Sequence, residues 1–286
     1  MSGLAKMLEL LRLITPANPV VNVDQVCEVL GCGASTAYRY IRELTDAGLL
    51  VRLPGGFALG ARIIQLDLQM RQTDPLLHHG LELLVDLVRQ TGLSALLSEV
   101  YNDAVITLHE EPGAEISELH FGRGRAMPLS RGATGRIIMA HMQPRPLRRI
   151  YDQMTAEHPG EAVLPNWKEF SREMLVLRRQ GYCLTRGEVE AGRVGLSAPI
   201  FDDGRVLGSV SLVGSIERFA MFNEPYIGTL VCEAARTLSQ RISVQPHTVS
   251  NALAASDNPS THVDRTQSVE QSAPRRRSGP DIEVAA

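Results

Sequence analysis

Residues 22–60 read NVDQVCEVLGCGASTAYRYIRELTDAGLLVRLPGGFALG, and the spacing of apolar, capping and turn residues in this stretch sets the reading of the whole chain. Val23, Val26, Cys27 and Leu30 fall at i, i+3, i+4 and i+7, the stripe of a short amphipathic helix. Asn22 with Gln25 three places later supplies a capping-box start, and Gly31 stops the helix. A second helix is expected after a tight turn. It begins at Ser35 or Thr36, buries Ala37, Ile41 and Leu44 on one stripe, and ends before Gly48. Then Leu49, Val51 and Leu53 alternate up to Pro54-Gly55-Gly56, and Phe57 and Leu59 alternate after it, which is hairpin chemistry.

Helix, turn, helix and β-ribbon together define a winged helix-turn-helix, and the expected partner is double-stranded DNA. The outer face of the second helix carries Ser35, Tyr38, Arg39 and Arg42, with Thr36 at its edge and Arg52 on the wing. Arginine forks a guanine edge or a phosphate, and hydroxyls meet backbone oxygens or base edges. Residues 1–72 hold seven Lys/Arg against six Asp/Glu, so one module is only weakly basic. Phosphate neutralisation drives most DNA affinity, so several modules must sum in a homodimer or tetramer.

The chain has 286 residues, 44% hydrophobic and 21% charged, with a net charge of −3. That is too long for one such module, and it is not the composition of a protein that coats DNA by bulk charge. No apolar run approaches the roughly 18 residues of a membrane span and no leader pattern is evident, so a cytoplasmic protein without membrane association is expected. Cys27, Cys32, Cys183 and Cys232 form no CxxC pair. Neither a disulfide framework nor a cysteine zinc site is indicated, and at least Cys27 and Cys232 read as small core residues. His78, His79, His109 and His120 lack HxxxH or HExxH spacing, so no metal site and no cofactor are expected. No Ser-His-Asp or GxSxG arrangement stands out. Glu188 and Glu190 read as a hydrogen-bonding or solvated pair rather than a glycosidase dyad, so the chain is not expected to be an enzyme.

Before the helix-turn-helix, Leu4, Leu8 and Leu11 beside Met7, Leu10 and Ile14 form a helix that ends ahead of Pro16. After the wing, residues 61–72 are helical in composition, and Asp74-Pro75 starts a further helix running to Thr91 and closed by Gly92. Ile63, Ile64, Leu66 and Leu68 are too apolar for a solvated linker. They are expected to pack on a partner's copy, the alternative being that they fold back on the chain's own second domain. Strands are expected at 93–101, 104–109 and 116–121, helices at 132–142, 145–154 and 167–180, strands at 182–185, 194–201 and 206–213, and a last helix at 223–242. The fold class is therefore α+β, with an antiparallel sheet flanked by helices and a concave face suited to a small ligand. Residues 245–286 hold no aromatic residue but six serines and four prolines, a composition read as a disordered tail. Its Arg275-Arg276-Arg277 run is most simply a solvated charge cluster.

Several segments match one pattern in order and spacing: LAKMLELLRLI, STAYRYIRELTDAGLL with a wing ending in FALG, PLSRGATGRIIMA, and RRQGYCLTRGEVEAGRVGLSAPIFDDGRVLGSVSLVGS. Over about residues 4–242 the chain resembles the IclR family of bacterial transcription regulators. The resemblance implies a DNA-binding domain over residues 1–60, a dimerising linker helix at 61–74, a GAF-like effector-binding and oligomerisation domain at 75–243, and a tail at 244–286. It implies a repressor or activator, acting with RNA polymerase at a promoter, answering to a small organic acid and controlling a catabolic operon. Carried over by position, the effector pocket would be lined by Ser130, Gly132, Ala133 and Thr134, by Thr185 and Glu188, and by Gly195, Ser197 and Ser211. Gly132 and Ala133 open a helix whose free N–H groups suit a carboxylate, and Ser130 or Thr134 would add a hydroxyl or cap that helix. Several relatives carry cysteine where Gly195 stands and an acidic residue near Thr185, so the ligand is not transferable. A glycine there enlarges the pocket and points to an acid bulkier than two or three carbons, such as an aromatic one. The alternative to a regulator is a small-molecule sensor or enzyme with an incidental winged domain.

Overall fold

The computed structural model describes residues 2–101, 104–115, 122–157 and 165–243. Helix α1 spans Gly3–Leu13, capped by the Ser2 hydroxyl, which accepts from the Ala5 N–H at 3.2 Å. Helix α2 spans Val23–Leu30 and carries the expected capping box, with Asn22 and Gln25 exchanging two bonds of 2.9 Å. Gly31, at φ +56°, closes it in the left-handed region. Helix α3 spans Ala34–Asp46, so it starts one to two residues before Ser35 or Thr36. Its N-cap is Gly33, with no side-chain cap, because Cys32 and Gly33 suffice to reverse the chain after the left-handed Gly31.

Strands β1 (Leu50–Leu53) and β2 (Gly56–Leu59) pair antiparallel as the wing, and Val21 bridges to Phe57. The buried wing residue is Leu50; Val51, Leu53 and Leu59 are exposed. The expected alternation of Leu49, Val51 and Leu53 is not seen in burial: in β1 only Leu50 is buried, while Val51, Arg52 and Leu53 are all exposed. Leu10, Val21, Val26, Leu30, Ala37, Ile41, Leu44 and Leu50 form the core of this unit, with Cys27 packed against it.

Helix α4 spans Arg62–Thr73 and buries no residue; Ile64, Leu66, Leu68 and Met70 remain exposed. Folding back on the chain's own second domain therefore leaves its apolar side chains uncovered. Asp74 caps helix α5 (Pro75–Thr91), accepting from the Leu76 N–H at 2.8 Å, and Gly92 ends it at φ +66°.

The second unit is built on a six-stranded antiparallel sheet. Its strands are β3 (Ser94–Tyr101), β4 (Ala104–Glu111), β5 (Ala126–Pro128), β6 (Cys183–Arg186), β7 (Arg193–Asp202) and β8 (Arg205–Ser215), in the order β5-β4-β3-β8-β7-β6. Helices α6 (Gly132–His141), α7 (Pro144–Glu157) and α8 (Trp167–Gln180) lie between β5 and β6 in sequence, and α9 (Ile216–Phe219) and α10 (Glu224–Ser243) follow β8. The strand expected at 116–121 and the tail from 244 lie outside the described residues. The described third strand is the shorter Ala126–Pro128. The one-turn α9, too short to show helical periodicity, was not anticipated from the sequence.

Strand alternation divides the two faces. Leu97, Leu196, Ala198, Val210 and Leu212 face α5 and α10 in one core. Leu96, Gly195, Ser197 and Ser211 face the opposite way, toward α6. Beyond that face Ile137, Ile138, Tyr151, Phe170 and Met174 of α6, α7 and α8 form a second core. The β7–β8 hairpin turns at Asp203 and Gly204, at φ +45° and +73°, the two positive values that a type I′ turn needs.

Candidate DNA-reading head and ligand cavity

On α3 the structure separates faces as the sequence predicts. Ala37, Tyr40, Ile41 and Leu44 point inward, and Ser35, Tyr38, Arg39 and Arg42 are exposed, with Thr36 half-buried at the edge. Tyr38 is 57% exposed, an unusual placement for a large aromatic ring on a small domain. Arg52 is exposed on β1, and an open groove between α3 and the wing is lined by Asn22, Tyr38, Arg42, Asp46, Arg52 and Gly55. Arg42 lies 3.6 Å from Asp46, but both side chains are mostly exposed. Such a pair contributes little, so a phosphate or a base edge competes for this guanidinium at small cost. The Arg39 guanidinium sits 5.5 Å from the centre of the Tyr40 ring.

The second site lies where α6 meets the sheet. A cavity of about 70 Å³, widening to about 570 Å³ when the space out to its mouth is counted, is lined by Gly132, Ala133, Thr134, Thr185, Glu188, Gly195, Ser197 and Ser211. Eight of the nine residues expected at an effector pocket thus converge from α6, β6, β7, β8 and the loop after β6. Ser130 is absent from the lining. It precedes the bend at Gly132, whose φ of +72° turns the chain into α6 and aims only the residues after it at the cavity.

Thr134 does not cap α6, which has no side-chain cap at all. Its hydroxyl instead closes a buried triangle, 3.1 Å from the Ser197 hydroxyl and 3.1 Å from that of Ser211, which lie 2.7 Å from one another. Each hydroxyl can donate one bond and accept two, so the ring satisfies its donors internally and leaves lone pairs for an incoming group. A ligand donor can therefore be accepted at once, whereas a ligand acceptor requires one hydroxyl to turn out of the ring.

The cavity's charges are already matched. Glu188 lies 3.0 Å from Arg136, and Arg193 lies 3.8 Å from Glu190 and 3.2 Å from Glu115. Glu115 also accepts from the Ser215 hydroxyl at 2.6 Å and its N–H at 2.9 Å, bonds that hold its carboxyl below the usual range. Sequence reasoning missed Leu96, Met127, Val189, Val194, Arg193 and Val213 in the lining. Register could have found some: Leu96 pairs with Ser211 across β3 and β8, so a pocket at Ser211 implies one at Leu96. Burial raises the Cys183 thiol to about 12, so it is an inert core residue. Among the described residues no group of three or more His, Cys, Asp and Glu could hold a metal ion.

A winged head with an exposed arginine face, joined through a helix to a sheet domain with a polar-floored cavity, is the build of a transcription regulator. Residues 71–240 match the family model of the bacterial transcriptional regulator IclR C-terminal domain, and residues 3–54 that of the IclR helix-turn-helix domain. The chain belongs to the IclR family of bacterial transcription regulators. It is 25% identical to the HTH-type transcriptional regulator BhcR of Paracoccus denitrificans, over 83% of this chain and 86% of that one. It is 24% identical to the glycerol operon regulatory protein of Streptomyces coelicolor, over 83% and 95%. Its fold is that of an IclR homologue from Microbacterium hydrocarbonoxydans solved with 4-hydroxybenzoate, at a TM-score of 0.69, 19% identity, and coverage of 85% and 100%. These relatives regulate transcription, and the alternative of an enzyme with an incidental winged domain falls away.

Proposed function

We propose that two or four copies of this regulator read a palindromic operator in the cytoplasm and control a catabolic operon in response to a small organic acid, of the aromatic class. The head is one of a pair: at a charge of +1 over residues 1–72, a single copy neutralises too few phosphates. The exposed apolar row on α4, with Leu4 and Leu8 exposed on α1, supplies a surface through which paired heads would be held. Ser35, Thr36, Tyr38, Arg39, Arg42 and Arg52 would meet the duplex.

The observation that carries the ligand reading is the hydroxyl triangle beneath the opening turn of α6. N–H groups at that turn suit a carboxylate, and the lone pairs of Thr134, Ser197 and Ser211 suit the O–H of a phenol or alcohol. The 4-hydroxybenzoate complex of the Microbacterium hydrocarbonoxydans homologue and the glycerol operon regulators among the relatives support a small oxygenated effector. The enclosed part of the cavity is small, so an aromatic ring would extend toward its mouth, and the missing side chain of Gly195 leaves room beside Ala133 and Thr185. Calorimetric titration with aromatic and short aliphatic acids tests this. Tighter binding of aromatic acids supports the reading; binding of only two- or three-carbon acids overturns the aromatic assignment.

A further inference from the structure

The segment joining β4 to α6 touches both the cavity and the linker helix. Arg123, in the turn that ends in β5, donates from one guanidinium nitrogen to the Leu108 carbonyl and from the other to the Asp67 carboxylate on α4. Asp67 also accepts from Arg71 at 2.8 Å, and the paired guanidiniums hold its carboxyl below the ordinary range, Arg123 first. The turn is pinned to β4 by the Gly124 N–H donating to the Thr107 carbonyl at 2.8 Å. Four residues after Arg123, Met127 pairs with Val105 and places its side chain in the cavity wall, where its sulfur lies 3.9 Å from the Cβ position of Gly132.

We propose that residues 122–128 act as a lever, with Met127 as the cavity end and the Arg123–Asp67 pair as the linker end, so that Arg123 positions α4 according to what the cavity holds. This rests on the reading that α4 sets the spacing of paired heads. Two features make the strip suitable. Among the described residues strand β5 is a three-residue edge strand that pairs with β4 alone, and short edge elements open at low free energy. Within one chain helix α4 buries no residue, so the Arg123 contact adds a defined tie between it and the second unit. Because Asp67 is also held by Arg71, it would stay paired if Arg123 let go, which gives the contact a second arrangement to switch to.

The test needs neither operator nor effector. Amide hydrogen exchange of residues 62–73 is followed in the full chain for wild type, Met127→Ala, Arg123→Gln and the double variant. Met127→Ala is expected to change exchange in α4 by about threefold or more with Arg123 present and to leave it unchanged in the Arg123→Gln background, a non-additivity that contacting networks produce and independent sites do not. Arg123→Lys, which keeps the charge, should restore the response at least in part. Effects of the two substitutions that simply multiply, or no effect of Met127→Ala on α4, would overturn the lever. Should Met127→Ala unfold the domain, Met127→Leu conserves volume and must show the same dependence on Arg123. A failure here leaves the paired-head reading intact, because operator binding tests that separately.

Discussion

The Tyr101 hydroxyl donates a 2.6 Å hydrogen bond to Glu99, a carboxyl that is 1% exposed and whose other oxygen has no partner among the described residues. Burial raises its pKa from 4.5 to about 7, against the lowering effect of the Tyr101 bond and with a smaller push from Asp74 at the cap of α5. The folded chain therefore binds more protons than the unfolded chain between about pH 4.5 and pH 7, and stability falls as pH rises through that window. Glu99→Gln keeps an acceptor for Tyr101 and removes the titration. Thermal unfolding from pH 5 to pH 8 should show wild type losing stability relative to the variant, by on the order of 3 kcal/mol or less. Parallel pH profiles would exclude a buried, protonated Glu99.

Arg42 and Arg39 should fail differently. If Arg42 meets a phosphate, Arg42→Ala weakens all sequences alike and reduces the salt slope of operator binding by about one. If Arg39 forks a guanine, Arg39→Ala costs about 1–3 kcal/mol at one base pair and relaxes specificity there. Gel shifts with the protein's own upstream DNA at several salt concentrations check both. Sequence-specific binding that survives both changes would remove α3 as the reading helix.

Thr134→Val keeps the shape of the residue and deletes one corner of the hydroxyl triangle. Ser197 and Ser211 still bond to each other at 2.7 Å, so the expected loss of stability is modest, about 1 kcal/mol in denaturant unfolding. Effector binding should weaken with it.

Two glycines near the cavity make opposite predictions. A Cβ on Gly195 meets only Ala133 at 3.8 Å and Thr185 at 3.9 Å, whereas one on Gly135 would lie 2.1 Å from the Leu129 carbonyl oxygen. Gly195→Ala should change stability by within about 0.5 kcal/mol and weaken a ring-bearing acid more than a short one. Gly135→Ala should destabilise by roughly 1–3 kcal/mol, because backbone must move. Unfolding midpoints and calorimetry read both.

Much of this architecture is legible in local chemistry. The Asn22–Gln25 box, Gly31, Asp74-Pro75, Gly92 and Asp203-Gly204 mark boundaries whose hydrogen bonds are intra-segment, so the sequence alone specifies them. What depends on long-range packing is less legible. Burial in the wing is set by Leu50 meeting the helical core, and the brevity of β5 by its place at a sheet edge. Ser130 enters the expected pocket only through the family resemblance, and the left-handed turn at Gly132 separates it from the lining residues that follow. Arg123 and Met127 carry no motif, and their roles emerge only when β5 is laid against β4.

On the proposed reading, occupancy of the cavity governs how the heads hold DNA. The most direct test is the affinity of the full chain for its own upstream DNA, measured by fluorescence anisotropy with and without each acid of an aromatic and aliphatic panel. That reading predicts that at least one acid shifts that affinity by about fivefold or more, in either direction, and that Gly195→Leu, which fills the cavity, abolishes the shift while still binding DNA. An affinity that no acid moves, or a shift that persists in Gly195→Leu, would contradict it.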